Sequence, residues 1–173
     1  TASTLLGLGE MARSQGDLGR AALLFEECKR LFRDLGDTDG SAIALGNLAL
    51  IALAQGSSEQ AAALYQESLA LRRELGDKRG IAKCLEGLAE VAVAQARPER
   101  AVRLLAAAAA LRDQMNPQAP FILAANRTAR DRMLAAAHAR LSGMVFAAAW
   151  AEGRAMPLEQ AIARSRVGRT SQP

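Results

Sequence analysis

Apolar residues fall in helical stripes, and the stripes recur. Between residues 41 and 80, Leu45, Leu48 and Ala52 follow the i, i+3, i+7 spacing of one helix face. Ala61, Leu64, Ser68 and Leu71 make a second stripe. A shift of 40 residues superimposes this stretch on weaker copies at either side. Leu5, Leu45 and Leu85 align, as do Leu8, Leu48 and Leu88, then Ala12, Ala52 and Ala92. On the second stripe Ala21, Ala61 and Ala101 align, then Leu24, Leu64 and Leu104, and Leu31, Leu71 and Leu111. A fixed period of this length is the mark of a stack of helix pairs, each leaning on the next.

The breaks between stripes carry turn chemistry. Gly16, Gly36, Gly56 and Gly76 suit the left-handed residue that ends a helix. Asp37 and Asp77 suit the next N-cap, Ser57 with Gln60 reads as a capping box, and Pro98 suits a first helical turn. The pattern predicts helices at about 2–15, 18–35, 38–55, 58–75, 78–95 and 98–115. Small residues should let paired helices approach: Ala49 and Ala89, with Gly9 in the first copy, are expected against Ala21, Ala61 and Ala101. Phe25, Tyr65 and Leu105 would fill the space between successive pairs.

After Asn116 the period stops. A helix is expected from about 120 to 141, with Ile122, Leu123, Met133, Leu134 and Leu141 as its apolar positions. Ser142-Gly143 is a break, MVFAAAWAEGRAM a short helix, and Pro157 the start of a last one. Phe146 and Trp150, four apart on one face, suit a cap over the end of the stack. The expected organisation is an all-α antiparallel helix-pair solenoid over 1–115 (repeats 1–40, 41–80 and 81–115), a helical cap over 116–166 and a disordered tail over 167–173.

Composition agrees with this. Half of the 173 residues are apolar and only 3% are aromatic, so the core is built from small and aliphatic helix formers. The net charge of +4 is uneven: residues 1–115 hold 14 basic and 15 acidic side chains, residues 116–173 hold 8 and 3. That excess reads as a solvated arginine face, or as a docking surface for an acidic partner or nucleic acid. Arg127, Arg130, Arg132 and Arg140 would supply phosphate contacts, but stacking aromatics are scarce, which argues against nucleic acid.

The repeats resemble the tetratricopeptide repeat family, at Leu45, Leu48-Ala49, Gly56, Ala61 and Tyr65. Two family aromatics are replaced, by Leu in all three copies and by Ala12, Ala52 and Ala92. The 40-residue period with its Leu-Gly-Asp turn, and the ending FAAAWAEGRAMPLEQAI, look like bacterial signalling ATPases and LuxR-type transcription regulators. The resemblance implies a non-enzymatic interaction and regulatory module in the cytoplasm. The chain opens inside a helical pattern without Met, so a fragment of a longer protein is expected.

In such a solenoid the first helices line the concave side. The candidate partner-binding residues are therefore Leu6, Glu10, Arg13, Ile43, Asn47, Leu50, Lys83, Glu86 and Glu90, with Gly46 beside them. They would receive a peptide, a partner domain or another part of the parent chain. The family's Lys and Asn carboxylate-clamp pattern is not reproduced. An exposed face at Leu5 and Leu8 leaves a homodimer open. A small-molecule sensor would need a pocket with convergent polar groups, which the sequence does not locate.

No catalytic, cofactor or metal site is expected. His138 has no Cys, Asp or Glu at helical ligand spacing, Cys28 and Cys84 lack a CxxC partner, and GLGE lacks the Lys and Ser/Thr of a phosphate loop. Cys28, aligned with Ser68 and Ala108, reads as a small core residue. No uninterrupted apolar run is long enough to span a membrane.

Overall fold

The structure, a computed structural model, describes residues 1–115 and 124–166, with side chains from 129 onward in the second stretch. The expectations for NPQAP, Ile122, Leu123, the Arg127 side chain and the tail at 167–173 lie outside the described residues. The chain divides into two compact units, Thr1–Asp77 and Lys78–Pro173.

The first unit holds α1 (Ala2–Ser14), α2 (Leu18–Asp34), α3 (Thr38–Ala54) and α4 (Ser58–Glu74), each packed on the next in chain order. The second holds α5 (Lys78–Ala94), α6 (Pro98–Met115), α7 (Ala124–His138), α8 (Gly143–Ala155) and α9 (Leu158–Ser165). Every described element is helical, and the first six helices start and end within a residue of the expected bounds.

That agreement has a local cause. Five successive helices end in one hydrogen-bond motif. At the first end, the Asp17 amide donates to the Ala12 carbonyl at 3.0 Å and the Gly16 amide to the Arg13 carbonyl at 3.0 Å. The pattern recurs at Asp37, Ser57, Asp77 and Arg97. The residue before each of these has positive φ: 82° at Gly16, 68° at Gly36, 79° at Gly56, 66° at Gly76, and 56° at Ala96, the one non-glycine. Asp17 and Asp37 then cap the next helices, accepting from the amides of Arg20 at 3.0 Å and Gly40 at 2.8 Å. Ser57 corrects the capping-box expectation: it stands at the N-cap of α4 but accepts no hydrogen bond with its side chain there. Pro98 opens α6 as expected.

The core of the first unit joins Ala12, Ala21 and Phe25 to Leu48 and Ile51, so Phe25 binds the first helix pair to α3. The helices come close at Gly9, where an added Cβ would lie 2.7 Å from the Phe25 ring, and at Gly40, where it would lie 2.3 Å from Phe32. Gly9 therefore makes room for the Phe25 ring, where the sequence had set it against alanine. Ala49 and Ala61 are fully buried.

In the second unit Ala89, Ala101 and Leu105 are fully buried. The stack is continued by α8, which lies along α6, while α7 packs on both α5 and α6. Gly153 makes the α6–α8 approach close: a Cβ there would meet the Arg103 carbonyl at 2.3 Å. Val102, Ala137 and Ala149 form the buried centre, with Leu141, Phe146 and Trp150 packed against it.

Candidate functional site

The expected partner-binding residues divide between the units. In the first, α3 is apolar on nearly all faces. Its buried residues include Ala42, Ala44, Leu45, Leu48, Ala49, Ile51 and Ala52. Ile43, Asn47 and Leu50 lie half-buried at i, i+4 and i+7, on one face that the core does not fully take. Gly46 is half-buried beside them. On α1, Glu10 and Arg13 are exposed, three residues apart on one face. Leu6 is different: it packs against two apolar clusters of this unit and serves the core.

In the second unit one of the three candidates is already engaged. Glu86 accepts two hydrogen bonds from Arg112 on α6, from Nε at 2.9 Å and Nη2 at 2.7 Å. Both side chains are only 16% exposed. Glu90 is exposed by area, yet the packing around its carboxyl pushes its pKa up, and Arg132 on α7 pulls it partly back. Lys83 is exposed.

The Glu86–Arg112 pair belongs to a position that recurs across the repeats and that the sequence reading missed. Residues 26 apart face each other across each helix pair. The Cys28 thiol donates to the Ala2 carbonyl at 3.5 Å, and the Ser68 hydroxyl to the Ala42 carbonyl at 2.8 Å. One turn further on, Leu6 packs on the cluster containing Phe32, and Glu86 pairs with Arg112. The middle copy has Gly46 there, and the buried Arg72 turns instead to Asp77, at 2.5 Å. The signal available was the alignment of Phe32, Arg72 and Arg112 against Leu6, Gly46 and Glu86.

The remaining candidates have structural settings. Cys28 and Cys84 are free and buried. Desolvation, then Glu27, raises the Cys28 pKa, which disfavours a reactive thiolate. His138 is exposed and stacks on Phe146, centroids 3.5 Å apart, and Phe146 lies parallel to Trp150 at 6.3 Å. Among the basic residues of the expected nucleic-acid face, Arg130 lies 3.8 Å from Asp131, Arg132 faces Glu90 and Arg140 is exposed. No group of three His, Cys, Asp or Glu suited to a metal occurs among the described residues. No helix among them is long and apolar enough to cross a membrane.

Two family models match the chain, both described as tetratricopeptide repeat, one over residues 1–35 and one over 40–114. Between them they cover more than half of its 173 residues. No curated protein matches it.

Proposed function

We propose that this chain, which belongs to the tetratricopeptide repeat family, receives a segment of a partner protein on the α3 face of its first unit. Repeats of this family suggest a protein–protein interaction module and are in general non-catalytic scaffolds. The observation that carries the finer reading is the stripe Ile43, Asn47 and Leu50, half-buried on a helix otherwise committed to the core. Ile43 and Leu50 offer apolar contact, and the Asn47 amide both donates to and accepts from a peptide backbone. Glu10 and Arg13 on α1 supply a polar rim. Lys83 and Glu90 on α5 are further candidates within the second unit, where Glu86 is held by Arg112.

The larger setting we propose is a bacterial, cytoplasmic signalling ATPase or LuxR-type transcriptional regulator. The Leu-Gly-Asp turns and the FAAAWAEGRAMPLEQAI ending support it. The bound segment would then belong to a partner or to the parent chain, and its docking would shift the regulator between states.

Selection of a displayed peptide library on the chain tests the α3 site. Selected peptides should lose about tenfold or more in affinity on Asn47→Ala combined with Ile43→Ser, the loss of one hydrogen bond and one apolar contact. They should be indifferent to Leu23→Ser, which alters a leucine of α2 that is 74% exposed. Circular dichroism establishes that both variants are folded. Equal affinity for the wild type and the folded α3 variant overturns this assignment.

A further inference from the structure

We propose that a cleft of the second unit, between α6, α8 and α9, binds a small organic anion, with a phosphate or carboxylate head and an apolar body. The cleft has a volume of about 400 Å³, within the range of small-ligand sites. Leu104 and Ala107, both buried, and the half-buried Met156 give it an apolar floor. Its polar wall is Arg100, Arg103, Arg164 and Glu152, three cations to one anion.

The charges are unequally satisfied. Arg103 Nε donates to Glu152 at 2.6 Å, its Nη2 donates to Glu99 at 3.2 Å, and Arg164 also donates to Glu152. Glu152 is thus shared by two guanidinium groups. Arg100 has no carboxylate partner among the described residues. Its Nη2 donates to the Ser165 carbonyl at 2.6 Å, which fixes the side chain and leaves other donors of the fork for a ligand. Arg100 is half-buried, and desolvation, then the neighbouring Arg97, lowers its pKa. A partly desolvated cation beside a second cation is a place where an incoming oxyanion removes an existing penalty. A planar guanidinium held by one hydrogen bond is suited to the paired oxygens of a carboxylate or phosphate. The floor beneath it selects an anion that carries an apolar group over a bare ion.

The site differs from the α3 face in unit, charge and ligand, so either assignment can fail without the other. The experiment is an amide chemical-shift titration of the whole chain with phenyl phosphate and with benzoate, at fixed ionic strength. Phenol and inorganic phosphate serve as the apolar-only and anion-only arms. Saturable shifts at Arg100, Arg103, Leu104 and Arg164 are expected with phenyl phosphate or benzoate, and the tighter of the two identifies the head group. Arg100→Gln should weaken binding by about tenfold or more, the loss of a charge-assisted hydrogen bond. Glu152→Gln should tighten it several-fold, because it removes the one anion already in the wall. Opposite signs in two neighbouring variants cannot come from misfolding. Phenol or inorganic phosphate matching phenyl phosphate, shifts that do not saturate, or an affinity unmoved by both substitutions would each overturn the proposal.

Discussion

The first and third repeats set the same pair of backbone positions between their helices and fill them with opposite chemistry. Across α1 and α2 the contact is apolar: Leu6 packs on the cluster that holds Cys28 and Phe32. Across α5 and α6 it is ionic, with Glu86 and Arg112 joined by two hydrogen bonds and largely shielded from water. Leu6 and Phe32, like Glu86 and Arg112, stand 26 apart at the same register of a 40-residue unit. The repeat therefore dictates where two helices must be locked and leaves open what locks them. Glu86, which the sequence pattern offered to a partner, is held instead by Arg112 of the neighbouring helix.

Breaking the ionic lock should give the largest effect. Glu86→Ala leaves the Arg112 guanidinium shielded and unpaired, and we expect a loss of about 3 kcal/mol in urea unfolding. Rebuilding the lock in the style of the first repeat, Glu86→Leu with Arg112→Phe, should restore stability to within about 1 kcal/mol of the wild type. A double variant as unstable as the single one would show that the two repeats are not interchangeable at this position, and the comparison would fail.

The contrast also separates what could be read in the chain from what could not. Helix ends were legible because each is decided within six residues: a left-handed residue, glycine at four of the five, and a 6→1 bond. Pro98 and Asp37 were legible for the same reason. Ser57 was misread because a capping box needs a side-chain rotamer as well as a spacing. The locks were hidden because they depend on how two helices face each other, and Glu86 carries no local mark of Arg112. The Arg100–Ser165 contact joins residues 65 apart in the chain, and no periodicity could have brought the walls of that cleft together. Asn47 and its apolar neighbours were legible as a stripe, but that Leu6 serves the core showed only in the packing.

The helix ends give a sharper, smaller test of equivalence. Four turns use glycine at positive φ, and the fifth uses Ala96 at 56°. A side chain in that conformation costs about 1 kcal/mol. Ala96→Gly should therefore raise stability by about 1 kcal/mol in thermal or urea unfolding, and Gly36→Ala should lower it by a similar amount. Open space surrounds the Cβ that would be added at Gly36, so backbone conformation alone is tested there. A gain at position 96 without a matching loss at 36 would mean that the turns are not the same device.

The smallest effect concerns pH and the two glutamates of α5. Glu90 has a raised pKa, from desolvation offset in part by Arg132, so the folded chain holds its proton more tightly than the unfolded chain does. Stability carried by this group must therefore rise as pH falls through the folded pKa towards the unfolded one, and be absent above both. Glu90→Gln should remove that gain on acidification and leave the variant no less stable than the wild type at neutral pH. Glu86 supplies the contrasting case, because Arg112 donates two hydrogen bonds to its shielded carboxylate. Unfolding measured across the acid range in both Gln variants distinguishes them: only Glu86→Gln should cost stability at neutral pH. If Glu90→Gln does so too, Glu90 is held by Arg132 as Glu86 is by Arg112, and α5 offers no carboxylate to a partner.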